Sequence, residues 1–179
     1  KEQMNLTEYY GQPAEGEMVL VLGTDIMEER ALKSGDQIYL PQDIVSTYLN
    51  QRYYWDSGNQ QILYATPSSL EKFPASEAGD GEVWVRDGKV YLSLSLVQKY
   101  TDLDFYEYQE PARVVIRHEF TGVNVAAVKK DTSIRYRGGI KSPILTEVKK
   151  GDTLIYMQAL EDWVQVSTMD GYIGYVQKK

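Results

Sequence analysis

A chain of 179 residues has room for one medium domain or two to three small ones, and 42% hydrophobic with 25% charged residues is enough to bury a core. With no Cys and a single His, His118, disulfides, thiolate chemistry and multi-histidine metal sites are excluded, and a Ser–His–Asp triad has only that one imidazole to use. The net charge of −7 argues against a general nucleic-acid binder, and no run approaches the roughly 18 apolar residues of a membrane span.

The charge is uneven: residues 1–119 carry a net −10 and residues 120–179 a net +3. That change of sign predicts two units with different surfaces, meeting near residue 120. Fifteen Tyr against three Phe, among short Val/Ile/Leu runs, favour many small strands over a helical bundle. The chain starts at Lys1 rather than Met, the expected result of processing or trimming, so a secretion signal would lie outside it.

Met18–Leu22 is an apolar run suited to a buried strand. After it, Ile38-Tyr39-Leu40, Ile44-Val45 and Tyr48 recur as Val90-Tyr91-Leu92, Leu96-Val97 and Tyr100, at an offset of 52 residues. The register holds further on, where Tyr53-Tyr54 falls on Phe105-Tyr106 and Ile62-Leu63-Tyr64 on Val114-Val115-Ile116. Each copy reads as a turn (Ser34–Asp36, Asp87-Gly88), a strand ending at Leu40 or Leu92, a short helix, and two further strands. Ile44, Val45, Tyr48 and Leu49 share one face of a 3.6-residue period. Pro41 stands at the start of the first helix, where its missing N–H costs nothing, and Ser93 or Ser95 can cap the second. The strands Arg52–Trp55 and Gln61–Ala65 flank the turn Asp56–Asn59. Glu82–Arg86 takes the part of Met18–Leu22 in the second copy, and 68–81 reads as an exposed link.

The run from Gly35 to Pro41, with Ile44-Val45, Tyr54-Trp55-Asp56 and Ile62-Leu63-Tyr64, resembles the copper amine oxidase N-terminal-like domain of secreted and wall-associated bacterial proteins. The second copy departs from that pattern, with Ser93 for the Pro and Glu107 for the Trp. Despite its name the domain is not known as a copper site, and a lone His agrees with that. From about Val125 the pattern becomes five short strands: Thr132–Arg137, one from Ile144, Thr153–Met157, Trp163–Ser167 and Tyr172–Val176, with turns at Lys149–Asp152 and Met169–Gly171. Ile134–Arg137 with Gly139, then Lys150–Asp152, Trp163–Val166 and Gly171–Val176 resemble the bacterial SH3 domain, with departures at Arg135, Tyr136 and Ile140.

The expected fold is α+β, mostly β. Small antiparallel sheets with one short helix per repeat fill 1–119 (copies about 18–66 and 82–118), and an SH3-like β-barrel fills 124–179. This order of modules is similar to the region ahead of the catalytic barrel in chitinase-type (family 18) glycoside hydrolases of Gram-positive anaerobes. The resemblance implies an extracellular or wall-associated, non-catalytic pair of modules, monomeric and needing no cofactor. The intact protein would then be the hydrolase, its catalytic domain outside this chain.

Site candidates follow the same division. Asp102, Asp104 and Glu107 imitate a carboxylate cluster, but strand alternation sends Glu107 to the opposite face from the two Asp residues. Arg117-His118-Glu119 reads as a solvated strand end. Tyr53, Tyr54 and Trp55 suggest a sugar platform, except that alternation buries part of the trio. Lys129, Lys130, Lys149 and Lys150 add to the positive balance of the second unit, and Trp163 is expected in its core. Arg135, Tyr136, Arg137, Lys141 and Tyr172 are the candidate surface for wall glycan, peptide or anionic polymer; no residue is assigned a catalytic or metal role.

Overall fold

The computed structural model describes residues 4–118, 124–169 and 172–178. Glu119 and part of the turn at Met169–Gly171 lie outside the described residues. The chain is mostly β. Its first strands are β1 (Glu17–Leu22), β2 (Asp25–Ser34), β3 (Gln37–Pro41), β4 (Tyr53–Asp56) and β5 (Gln61–Ala65). They are followed by β6 (Leu70–Ser76), β7 (Val83–Arg86), β8 (Lys89–Ser93), β9 (Leu103–Gln109) and β10 (Ala112–His118). Helix α1 is Leu6–Tyr10, α2 is Gln42–Ile44 continued by a π-helical turn Val45–Leu49, and α3 is Leu94–Tyr100.

All ten strands belong to one sheet in the order β4, β5, β6, β7, β8, β3, β2, β1, β10, β9. This corrects the expectation of separate small antiparallel sheets. The reason is the β3–β8 ladder, where Leu40 stands opposite Leu92 and Tyr39 opposite Ser93, fusing the two halves at their equivalent strands. The sheet is also mixed: β1 pairs parallel with β10, and β6 parallel with β7. By position, β6 rather than β7 occupies in the second half the place β1 holds in the first, and it runs the other way. The short connection 66–69 allows β5 and β6 only an antiparallel hairpin, whereas β10 reaches β1 from far along the chain. The stretch expected as an exposed link therefore contributes a strand, with Phe73 in the core. β2 is a strand that the hydrophobic pattern of the sequence does not predict.

The inner face holds one core. Met18, Leu20, Ile38, Leu40, Leu92, Val114 and Ile116 from the strands meet Ile44, Val45, Leu94, Leu96 and Val97 from the helices. Ser93 caps α3 by accepting a hydrogen bond from the Leu96 N–H (3.1 Å). The first half reaches across to close the second. Tyr53 donates to the Leu96 carbonyl (3.0 Å), and Tyr64 stacks on Tyr100 at 4.0 Å between ring centres. Tyr100 is packed, but its counterpart Tyr48 is 57% exposed. The cause is the π turn, in which Asn50 N–H bonds to the Val45 carbonyl and the wider helix swings Tyr48 away.

The run Met18–Leu22 is buried on both faces, so its outer side needs cover. Val19 and Val21 of β1 and Val115 of β10 pack there against Tyr10 of α1 and against Leu145 and Tyr172 of the second unit. Fully burying side chains of this size contributes roughly 1.5–3 kcal/mol each, so this is a shared core between the units. Polar contacts reinforce it. Tyr9 Oη accepts from the Ile173 N–H (2.6 Å), Met4 N–H bonds to the Ile144 carbonyl, and Arg117 donates to the carbonyls of Gly23 and Thr168. Arg117, expected at a solvated strand end, is 2% exposed.

The second unit contains β11 (Asn124–Ala127), β12 (Thr132–Arg135), β13 (Ile144–Val148), β14 (Thr153–Ala159), β15 (Trp163–Thr168) and β16 (Ile173–Gln177). They form one sheet in the order β11, β14, β15, β16, β12, β13, one strand more than the five expected. Its own core is small: Val128, Ile134, Val148, Leu154 and Val166. Where β16 crosses β12 the backbones are so close that a Cβ on Gly174 would lie 2.6 Å from the Arg135 carbonyl oxygen.

Candidate functional site

The segment after β12 is a braced loop. Arg137 N–H bonds to Ser142 Oγ (2.8 Å), Tyr136 N–H to the Pro143 carbonyl (2.9 Å) and Ser142 N–H to the Gly139 carbonyl (3.0 Å). The Arg135 guanidinium donates to the Ser142 carbonyl (2.9 Å), tying the far side of the loop to its base. Below it, Gly138 lies against the Trp163 ring, where an added Cβ would come within 3.2 Å of Cγ. A loop fixed at so many points presents its remaining side chains in one arrangement.

Those side chains are Tyr136, Arg137, Ile140 and Lys141, all exposed, with the Arg137 guanidinium 5.4 Å from the centre of the Tyr136 ring. Three of the five candidate residues, Tyr136, Arg137 and Lys141, thus share one exposed loop. Arg135 does not join them at the surface; it is buried and acts as the brace. Tyr172 is corrected outright. It is 1% exposed, packed on Tyr9 and Tyr10 at the junction of the units, because Val19 and Val21 need cover there.

Trp163 is also displaced from its expected place. It is half-buried and outside the core of the second sheet. It forms one wall of a polar cleft of about 230 Å³ together with Asp131, Thr132, Ser133, Arg135, Glu147 and Gln177. The Ser133 hydroxyl donates to the Glu147 carboxylate, at 3.0 and 3.1 Å from its two oxygens. Opposite charges, a hydroxyl, an amide and an indole face suit a polar, neutral or zwitterionic ligand better than a polyanion.

The remaining candidates are dispersed. Asp104 stands opposite Arg117 and Glu107 opposite Val114, so the two carboxylates project from opposite faces of β9. Glu107 is paired with Lys33 at 2.7 Å. His118, half-buried at the end of β10, contacts the Asp102 carbonyl through Nδ1 (3.0 Å). Of the aromatic trio, Tyr53 is buried, Trp55 packs on the core, and only Tyr54 is exposed. Among the described residues no group of three or more His, Asp or Glu is placed to hold a metal ion, and no helix is long and apolar enough to cross a membrane.

Compared with known proteins, the chain matches no family model, no curated sequence and no solved structure.

Proposed function

We propose that the chain is a non-catalytic, extracytoplasmic positioning module that holds a larger protein at the bacterial cell wall, with contact made by the second unit. The observation that carries this reading is the braced loop exposing Tyr136, Arg137 and Lys141 on a unit of net charge +3, beside an acidic neighbour of net −10. Flat rings beside cations suit a sugar polymer bearing anionic groups. We read the second sheet as a bacterial SH3-type barrel and the first as a duplicated amine-oxidase-N-like unit, on the sequence landmarks given above. The 52-residue offset, which carries β3 and α2 onto β8 and α3, supports the duplication.

The order of the modules favours a second reading, an accessory region of a family 18 glycoside hydrolase. In that case the hydrolytic carboxylates belong to another part of the protein. The two readings share one test on this chain. Its co-sedimentation with purified Gram-positive wall should weaken between low and high salt, since such surface charges are screened over about 8–10 Å at physiological ionic strength. Arg137→Glu with Lys141→Glu should reduce binding much more than Arg52→Glu with Lys72→Glu. Salt-independent binding, or equal loss in the two pairs, would move the ligand surface away from the loop.

A further inference from the structure

A second cavity opens on the core-bearing face of the second sheet, and it shares no residue with the loop. It measures about 530 Å³, within the roughly 300–1,000 Å³ typical of small-molecule sites. Its floor is the core itself, since Val128, Leu154 and Val166 line it, and Val164 and Val176 continue the apolar wall. The cavity therefore reaches down to the hydrophobic core of the second sheet.

The rim is entirely cationic in its charge. Lys129, Lys130 and Lys178 line the mouth, and no carboxylate among the described residues joins them. None of the three ammonium groups has an ion-pair partner among the described residues. The adjacent acid, Asp131, is engaged elsewhere, by Lys149 (3.9 Å) and by the Lys150 N–H (2.9 Å). Three like charges around an apolar hollow repel one another until an anion sits between them.

We infer that this cavity binds a small amphiphilic anion, its apolar body against Leu154, Val164, Val166 and Val176 and its charged group held by Lys129, Lys130 and Lys178. The volume fits one small molecule rather than a helix or a strand, and the charge of the rim selects its sign. This assignment is independent of the wall-binding reading.

The test uses the full chain and titrates dodecanoate, dodecyl phosphate, dodecyltrimethylammonium and acetate below micellar concentrations. Calorimetry gives affinities, and amide NMR shifts at Val128 and Val166 locate the site. The expected result is saturable one-to-one binding of an anionic amphiphile, with the tighter of the two naming the headgroup. The cationic amphiphile should bind at least tenfold more weakly, and acetate should not bind. Lys129→Glu with Lys130→Glu should cost at least tenfold in affinity with the circular dichroism spectrum unchanged, and Arg137→Glu with Lys141→Glu should cost nothing. Equal affinity for both signs of amphiphile, indifference to the lysine reversals, or no saturable binding would overturn the assignment. Displacement of dodecanoate by an acidic, leucine-containing octapeptide of higher affinity would also overturn it, giving the groove to a protein partner.

Discussion

Arg117, near the end of β10, donates a hydrogen bond of 2.7 Å to the carbonyl of Thr168 at the end of β15, and the same guanidinium also reaches the Gly23 carbonyl. One buried side chain thus joins the first hairpin turn, the next-to-edge strand β10 of the large sheet and the second sheet. Removing it takes this donor from the part-buried Gly23 carbonyl and leaves the buried Thr168 carbonyl only the longer bond from Ser167 Oγ (3.2 Å). Each such loss costs about 1–3 kcal/mol. Arg117→Ala is expected to lower stability by about 3 kcal/mol in urea unfolding, and Arg117→Lys to recover only part, because an ammonium lacks the forked donors. A variant as stable as the parent would show that the bridge contributes nothing net.

Tyr172 supplies the second unit's largest side chain in the shared core. Tyr172→Ala should cost about 3 kcal/mol or more through the cavity it leaves between Tyr9, Tyr10 and Val19. Deleting residues 1–12 removes Tyr9 and Tyr10 from the same place and should destabilise the second unit as well as the first. Amide hydrogen exchange would show this as faster exchange in β15 and β16. Unchanged protection there would mean that the second sheet does not depend on this cover.

Gly174 tests the close crossing of β16 and β12. An alanine methyl group would lie 2.6 Å from the Arg135 carbonyl oxygen and 2.7 Å from Ile134 Cγ2, and backbone cannot yield as a flexible side chain can. Gly174→Ala is expected to cost about 2–3 kcal/mol, in line with other overpacked cores. Gly139→Ala, where an added Cβ meets nothing within 4 Å, is the control and should be near neutral.

Burial, with Tyr64 beside it, raises the Tyr53 hydroxyl well above the ordinary tyrosine value of 10.0. The sign follows from linkage. Above about pH 10 the unfolded chain releases this proton and the folded chain keeps it, so stability that is full below pH 10 declines as pH rises. Tyr53→Phe should be less stable by about 1 kcal/mol at pH 8, having lost the bond to Leu96. Its melting temperature should then fall less steeply than that of the parent between pH 10 and 12. The slope will not vanish, because Tyr39 and Tyr91 are raised by burial too.

Where structure was set by neighbours in the chain, it could be read from the chain. Ile44 and Val45 turned inward as their spacing required, and Ser93 capped α3. Local patterns failed where distant partners decided. In β2, Glu28, Glu29 and Arg30 break the apolar alternation, yet the strand is held from both sides by β1 and β3. In β6 only Phe73 is fully buried, with Ala75 packing against the core, and the strand's Pro74 and its polar Glu71, Lys72 and Ser76 resemble a linker until β5 pairs with it. The candidate site failed in the same way. Tyr136 and Arg137, expected within a strand Thr132–Arg137, lie past its end at Arg135, and the burial of Tyr172 depends on Tyr9 and Tyr10 at the other end of the chain.

The opposite polarity of β6 bears on the order in which the protein assembles. The β5–β6 hairpin closes through residues 66–69 and can form as soon as those strands exist, with little chain entropy to overcome. The parallel pairing of β1 with β10 sets Val19 opposite Arg113 and must wait for nearly the whole first unit. Until β10 arrives, Val21 has no neighbour in Val115, and Arg117 is not yet in place to receive the second sheet. Docking of the second sheet is therefore gated by the arrival of a single strand, and a chain stalled before β10 is seated would expose the central valines of β1 to whatever aggregation partner is near.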